Sequence, residues 1–255
     1  MLSRQTEGVE GLGVDERPVT RYAKAPDGVS IAYQVAGDGP LDLVFPSVMT
    51  IPIDLLWDEA GFVRLVRRLG RFSRTVWCEI RGIGASGGDV LDIFVDEIDD
   101  ADLTAVLDAA GCERVVLVAG SNSGSTTIRY AVAHPERVSA LVLINTHAYY
   151  VREDGYPWGM PADMLQQFAA RVAEMRGTGD TMDAIAPSKS GDERFRAWWA
   201  RGERLGLAPD RLAMVMISSF GRDVRPLLRD LIVPTLVLHR ASDRFIRVGA
   251  GRYLG

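Results

Sequence analysis

The stretch that decides the fold is Val115-Val-Leu-Val-Ala-Gly-Ser-Asn-Ser-Gly-Ser-Thr-Thr-Ile-Arg-Tyr-Ala-Val-Ala-His-Pro135. An apolar run of strand length, residues 115–118, leads into small residues at 119–124, and a helical pattern follows over residues 125–133. A strand that turns sharply into a helix is typical of a nucleophile elbow, in which the turn lifts one hydroxyl above the sheet edge. Small residues are needed there because the two backbones nearly touch.

The position of the elbow nucleophile depends on how the motif is aligned. A literal Gly-x-Ser-x-Gly reading of residues 120–124 centres on Asn122, whose amide is no nucleophile. The form Ala119-Gly-Ser-Asn-Ser123 instead places Ser121 at the centre, between two small residues, and we therefore predict Ser121 as the nucleophile. Two alternatives stay open, a frame centred on Ser123 and a tight turn or anion nest with no nucleophile.

Length and composition favour one large α/β domain, or a domain with an insertion, because 255 residues with 47% hydrophobic content can bury a full core. The net charge of −5 argues weakly against nucleic acid as the main partner. With no apolar run near membrane-spanning length and no signal-peptide pattern, we expect a cytoplasmic protein without a membrane span. Cys78 and Cys112 have no partner pattern, which predicts reduced thiols.

We expect a flexible N-terminal segment, residues 1–18, because it has no apolar period, and after it an alternation of strands and helices. A turn at residues 26–28 predicts an antiparallel hairpin between residues 20–24 and 29–35. The further predicted strands are residues 41–45, 75–80, 138–144 and 234–238, and the further predicted helices are 57–72 and 96–110. This order predicts a mostly parallel, doubly wound sheet with helices on both faces and the hairpin at its N-terminal side.

Strand patterns disappear over residues 149–229, which are aromatic-rich and helical in composition. We expect a helical lid inserted into a core made of residues 19–148 and 230–255, lying over the C-terminal edge of the sheet. The alternative role for its tryptophans and phenylalanines is packing of the lid onto the core, since large aromatics dominate packing.

Asp243 follows the last predicted strand by five residues, on the same sheet edge as the elbow. A carboxylate there can orient an imidazole, so Asp243 is the candidate acid of a catalytic triad. A turn aspartate, or a partner for Arg244 or Arg252, is the alternative. The amides of Val48, after the strand over residues 41–45, and of Asn122 are the candidate oxyanion-hole donors.

The whole series of motifs resembles the α/β-hydrolase superfamily, and more narrowly the hydrolase-like domains of actinobacterial proteins, some of them fused to a C-terminal class III adenylyl cyclase domain. The resemblance is carried by Arg21-Tyr-Ala-Lys24, Ile31-Ala-Tyr-Gln-Val35, Arg81-Gly-Ile-Gly-Ala-Ser86, Asp108-Ala-Ala-Gly-Cys-Glu113, Ala119-Gly-Ser-Asn-Ser123, Pro135-Glu-Arg-Val138, Tyr156-Pro-Trp-Gly159, Phe195-Arg-Ala-Trp-Trp199, Pro234-Thr-Leu-Val-Leu-His-Arg240 and Gly251-Arg-Tyr-Leu254. It implies the α/β-hydrolase fold, Ser121 as nucleophile and Asp243 as triad acid. Glu79 stands where the superfamily usually has Asp.

The resemblance also implies a triad histidine beyond a further strand and near a final helix, after the point that corresponds to Leu254. We therefore expect the chain to lack that last strand and helix together with the triad histidine. Of the histidines present, His134 is expected to cap the elbow helix and His239 to point into packing. His147 lies on the correct edge but precedes the acid in sequence, so it is a weak candidate base.

Three functions follow from these expectations. The first is an esterase-like serine hydrolase for a small, apolar, ester-like molecule, impaired by the missing histidine. The second is a non-catalytic ligand-binding or regulatory domain, as in cyclase-linked signalling proteins, and the third is a poorly folding remnant. We expect no cofactor, no metal and no nucleic-acid partner, and a homodimer stays open.

Overall fold

One sheet of seven strands organises the part of the chain that the structure, a computed structural model, describes, namely residues 17–46 and 51–255. The strands are β1 Arg21–Lys24, β2 Ser30–Ala36, β3 Leu41–Pro46, β4 Ser73–Cys78, β5 Val115–Gly120, β6 Val138–Ile144 and β7 Thr235–Leu238. They lie side by side in the order β1-β2-β4-β3-β5-β6-β7, so β1 and β7 are its edges.

Strand directions in the sheet match the expected pattern. β1 and β2 form an antiparallel hairpin, and β2 is antiparallel to β4. The pairs β3–β4, β3–β5, β5–β6 and β6–β7 are all parallel. The predicted mostly parallel sheet with an N-terminal hairpin is therefore confirmed, and the carboxyl ends of β3 to β7 meet at one edge because parallel strands run in the same direction.

Helices connect the parallel strands, as such connections require. They are α1 Ile53–Leu56, α2 Ala60–Leu69, α3 Asp96–Ala109, α4 Ser123–Ala133, α5 Leu165–Glu174, α6 Met182–Ile185, α7 Glu193–Gly206, α8 Pro209–Gly221 and α9 Val248–Leu254. Short 3₁₀ turns lie at Val90–Phe94, Ala162–Met164, Pro187–Lys189 and Arg225–Asp230.

The first helical region differs from the prediction of a single helix over residues 57–72. The chain forms α1 and then begins α2 at Ala60, because the Glu59 carboxylate accepts the backbone N–H of Phe62 at 2.7 Å and caps the new helix. Trp57 lies between the two helices, where its indole N–H donates to Gln34 Oε1 at 2.7 Å. Hydrophobic spacing alone could not locate this break.

Residues 149–229 contain α5 to α8, and the described chain has no strand there apart from isolated bridges such as the one between Val151 and Met160. The helices α5 and α8 pack against each other and contribute Phe168 and Phe220 to an apolar cluster. The helical character of this segment agrees with the sequence pattern, whereas the boundaries of an insertion remain a prediction.

The strands at the centre of the sheet are buried, whereas the edge strand β7 is largely exposed to solvent. Val44, Leu117 and Leu141 are fully buried. On β7, by contrast, Leu236 is 53% exposed and Leu238 is 45% exposed. Burial therefore falls steeply from β5 to β7.

Both cysteines, Cys78 and Cys112, are free and buried. Burial raises the pKa of each thiol to about 12. In the described ranges, we find no helix with the length and apolar character that crossing a membrane demands.

Candidate active site

Ser121 lies at the turn between β5 and α4, in a strained backbone conformation. β5 ends at Gly120 and α4 begins at Ser123. The φ angle of Ser121 is 53°, in the left-handed region that costs a residue with a side chain about 1–2 kcal/mol. The Ser121 hydroxyl is partly exposed and has no hydrogen-bond partner in the described part of the chain. Such strain concentrates at functional sites, where the fold forces it.

The two residues after the turn fix the elbow, which we define as residues 119–124. Ser123 Oγ donates to the carbonyl of Gly120 at 2.9 Å and accepts the Gly120 N–H at 3.2 Å, so this second serine hydroxyl is engaged. A Cβ at Gly124 would overlap the side chain of Thr146, whose hydroxyl donates to the Ser121 carbonyl at 2.6 Å. The elbow therefore depends on a close approach of α4 to the end of β6.

Asn122 provides the first amide of the elbow helix. It is the N-terminal cap residue of α4, where the helix dipole is positive. Its side-chain Oδ1 lies 3.3 Å from His147 Nε2. The other predicted oxyanion donor, Val48, lies outside the described residues. The oxyanion role of both residues stays a prediction.

Asp243 lies in the acid loop, which we define as residues 239–247. Its carboxyl side chain is only 5% exposed. One oxygen accepts the backbone N–H groups of Phe245 and Ile246, each at 2.8 Å, and the other accepts from Arg240 Nη2 at 2.8 Å. The cation that pairs with Asp243 is thus Arg240, and the alternatives Arg244 and Arg252 were wrong.

A strand-end bridge, residues 144–146, lies between the elbow and the acid loop. On one side the Ser121 N–H donates to the carbonyl of Ile144 at 3.2 Å. On the other side the Asn145 N–H donates to Leu238 at 2.8 Å, and Asn145 Oδ1 accepts the Arg240 N–H at 2.7 Å. The strands that carry Ser121 and Asp243 are two spacings apart, about 10 Å.

None of the three histidines hydrogen-bonds to Ser121 or Asp243 within the described ranges. His134 is the C-cap of α4, as expected, at the opposite end of that helix from Ser121. His239 Nε2 lies 2.8 Å from the carbonyl of Ile246, inside the acid loop.

His147 is 1% exposed, and burial, together with the charge of His239, lowers its pKa to about 3. Nδ1 of this ring has no hydrogen-bond partner within residues 17–46 and 51–255, while Nε2 faces Asn122. An imidazole with so low a pKa is a weak base at neutral pH.

An aromatic cluster connects the helical segment to the acid loop. Tyr150 stacks on Phe220 with ring centroids 4.0 Å apart, and its hydroxyl donates to the carbonyl of Phe245 at 3.1 Å. Phe168 and Phe245 lie in the same cluster. This buried cluster therefore contacts the loop that carries Asp243.

Glu79 is a buried carboxylate that ties together two loops at the same sheet edge. It accepts backbone N–H groups from Ile53 at 2.9 Å, Ala85 at 2.6 Å and Ser86 at 3.1 Å. Burial raises the pKa of Glu79, against the effect of these three hydrogen bonds. Glu79 can thus replace the usual Asp of the superfamily as an anchor for these loops.

Sequence reasoning missed Asn145 and Thr146, which link the elbow to its surroundings. Apart from Ser121, Asn145 is the non-glycine residue with a positive φ in the described chain, at 46°. The available signal was an Asn directly after an apolar strand, since Asn tolerates the left-handed region better than most residues. No cluster of three or more potential metal ligands occurs in residues 17–46 and 51–255.

Comparison with known proteins agrees with this architecture. The model of the alpha/beta hydrolase fold family matches residues 79–255. A pimeloyl-[acyl-carrier protein] methyl ester esterase from Nitrosomonas europaea is 27% identical over 232 residues, which cover 88% of this chain and 86% of the relative.

Solved structures with the same fold include an esterase from Exiguobacterium antarcticum, with a TM-score of 0.77, 18% identity and coverage of 92% of this chain and 86% of that one. A bromoperoxidase from Bacillus anthracis has a TM-score of 0.70 at 20% identity and covers 92% of this chain and 87% of its own. At these identities the likeness describes the fold.

Proposed function

Because the chain belongs to the alpha/beta hydrolase family, we propose that it is a serine hydrolase that cleaves carboxylic esters, with Ser121 as its nucleophile. The observation that carries the proposal is Ser121, a partly exposed residue on a strained turn between β5 and α4, whose hydroxyl has no hydrogen-bond partner among the described residues. The similarity to a methyl ester esterase supports an ester substrate.

The proposed chemistry is acyl transfer. Ser121 Oγ attacks the ester carbonyl, its proton leaves to a base, and the alcohol departs to give an acyl-serine that water then hydrolyses. The Asn122 amide, at the positive end of α4, stabilises the developing oxyanion. Asp243, ion-paired with Arg240, lies at the same sheet edge two strands away.

We propose that turnover is slow, because the described residues place no imidazole between Ser121 and Asp243. A triad that has lost one member keeps a rate about 10³–10⁴ above that of water, supplied by the oxyanion donors and substrate binding. Solvent water or hydroxide then takes the serine proton. Fast turnover at neutral pH would require a base that these residues do not provide.

A second candidate function is non-catalytic binding of an apolar small molecule, as a regulatory domain such as those joined to class III adenylyl cyclase domains. The observation that favours it is the engagement of Asp243, where Oδ1 accepts from two loop amides and Oδ2 accepts from Arg240. An imidazole would have to share or displace one of these partners.

A fluorophosphonate probe and hydrolysis of p-nitrophenyl butyrate separate the two functions. Ser121→Ala should abolish both labelling and the slow hydrolysis, while Ser190→Ala, the matched control at an exposed serine of the helical segment, should keep both. Labelling that persists in Ser121→Ala contradicts the proposed nucleophile. Absence of labelling and hydrolysis in the wild type, with retained binding of an apolar fluorescent dye that butyrate esters displace, would favour the binding function.

A further inference from the structure

Asn145 lies between the elbow and the acid loop and contacts the latter with both its backbone and its side chain. It follows the last residue of β6 and has a φ of 46°. Its N–H donates to the carbonyl of Leu238 at 2.8 Å, and its Oδ1 accepts the N–H of Arg240 at 2.7 Å. The side chain thereby fixes the start of the acid loop against the end of β6.

The neighbours of Asn145 hold the other half of the site. Ile144 accepts the N–H of Ser121, and the hydroxyl of Thr146 donates to the Ser121 carbonyl. The strand-end bridge therefore binds the nucleophile through residues 144 and 146 and the acid loop through residue 145. A shift of any one of these contacts changes the separation of the two halves.

Within the described ranges, the other hydrogen bonds of the acid loop do not lead to the elbow. The three hydrogen bonds of the Asp243 carboxylate all come from within the loop, so they shape the loop without attaching it to the elbow. Tyr150 and Ile185 contact the loop from the helical segment, through the carbonyl of Phe245 and the guanidinium of Arg240. β7 itself is a short, exposed edge strand.

The left-handed conformation at residue 145 adds a second reason for an asparagine. Glycine would adopt this backbone with less strain, but it has no side-chain acceptor for the Arg240 amide. Asn and Asp combine tolerance of the left-handed region with an oxygen at the correct distance. The position therefore requires both properties at once.

We infer that Asn145 is a positioning residue that sets the separation between Ser121 and the Asp243 loop. Asn145 acts through the Arg240 amide and not through the substrate. The catalytic consequence of this inference rests on the proposed hydrolase function. Loss of the acceptor should let the acid loop move relative to the elbow, which lowers kcat and leaves substrate binding at the Ser121 side unchanged.

Three variants test the inference by hydrogen exchange at the Arg240 amide and by steady-state hydrolysis of p-nitrophenyl butyrate. In Asn145→Gly the amide should exchange roughly fivefold to tenfold faster, the loss expected for one hydrogen bond. kcat should fall, by roughly threefold to tenfold, with KM within twofold, because the bridge that carries Asn145 also holds the Ser121 backbone through Ile144 and Thr146. Asn145→Asp should restore both values, and Arg229→Ala, at an exposed residue outside the acid loop, should match the wild type.

Wild-type exchange at Arg240 in Asn145→Gly would overturn the inference. The inference would also fail if the Arg240 amide of Asn145→Asp exchanged as fast as in Asn145→Gly and its kcat were as low. This second variant decides the question if the glycine variant does not fold. If the wild type shows no Ser121-dependent hydrolysis, the proposed function fails by itself. The exchange rates in Asn145→Gly and Asn145→Asp then still confirm or refute the positioning contact.

Discussion

The elbow and the acid loop lie at the same edge of one sheet, yet they are held in place by different kinds of contact. The elbow extends from β5, where Leu117 and Ala119 are completely buried. The acid loop extends from β7, where Leu236 and Leu238 are about half exposed. The strand that carries the nucleophile is thus fully packed, whereas the acid loop extends from an exposed strand and is held by hydrogen bonds and by its contact with the aromatic cluster.

This difference predicts that the two halves respond differently to substitution. Loss of a packed side chain near the elbow removes buried apolar contacts and leaves a cavity, which destabilises the whole domain. A single lost hydrogen bond at the acid loop has a smaller effect on stability. The catalytic geometry can therefore be disturbed on the acid side while the fold stays intact.

The largest expected effect comes from a matched pair of leucine truncations. Leu141 on β6 is fully buried, and Leu236 on β7 is 53% exposed. Leu141→Ala should lower the free energy of unfolding by about 2–5 kcal/mol, and Leu236→Ala by less than about 1 kcal/mol. Urea denaturation of both variants measures the difference. Equal losses would mean that another surface covers β7 in solution and would break the comparison.

Acid should destabilise the folded protein through His147, which lies beside the elbow residue Asn122. Its pKa is about 3 in the folded protein and near 6.5 in the unfolded chain. Between pH 6.5 and pH 3 the His147 ring is therefore protonated in the unfolded state and neutral in the folded state. The free energy of unfolding falls by about 1.4 kcal/mol for each pH unit in this window.

The comparison of wild type with His147→Gln isolates this contribution. Denaturant unfolding between pH 4 and pH 8 should give a shallower acid slope for the variant, with parallel curves above pH 7. If the dependence of stability on pH were the same in both proteins, water would reach the His147 ring in the folded state, and the ring would be less buried than in the structure.

The smallest effect should reveal the strain at residue 121. Ser121→Gly and Ser121→Ala both remove the hydroxyl, but only glycine adopts the observed φ without strain. The glycine variant should be more stable than the alanine variant by about 1 kcal/mol, as measured by thermal unfolding.

The same pair of substitutions at Ser123, in the first turn of α4, should give the opposite order. Alanine is preferred over glycine by about 1 kcal/mol in a helix interior, and the preference keeps its sign but is smaller at this first residue of α4. Identical orders at the two positions would argue against backbone strain in the elbow.

Much of the fold could be predicted because it follows from local patterns. Alternation of apolar runs with helical periodicity identified the seven strands, and the turn at residues 26–28 identified the hairpin. Boundaries were less accurate, since β4 begins at Ser73 and ends at Cys78 where the pattern indicated residues 75–80. Side-chain caps such as Glu59 set such limits, and periodicity does not report them.

The candidate site was less predictable because its contacts join residues far apart in the chain. Ser121 and Asp243 follow strands that sequence can identify, so their placement at one edge was foreseeable. The pairing of Asp243 with Arg240 depends on the shape of the acid loop, and the contact of Asn145 with the Arg240 amide crosses 95 residues. Neither follows from composition or period.

The two buried thiols, Cys78 and Cys112, can serve as probes of local unfolding. A thiol reagent attacks the thiolate, so Cys78 and Cys112, both shielded and with pKa values of about 12, are inert while the protein is closed. Cys78 ends a central strand, and Cys112 lies in the turn between α3 and β5. Their separate modification rates therefore record how often each of these two places becomes accessible to solvent, with no label added to the chain.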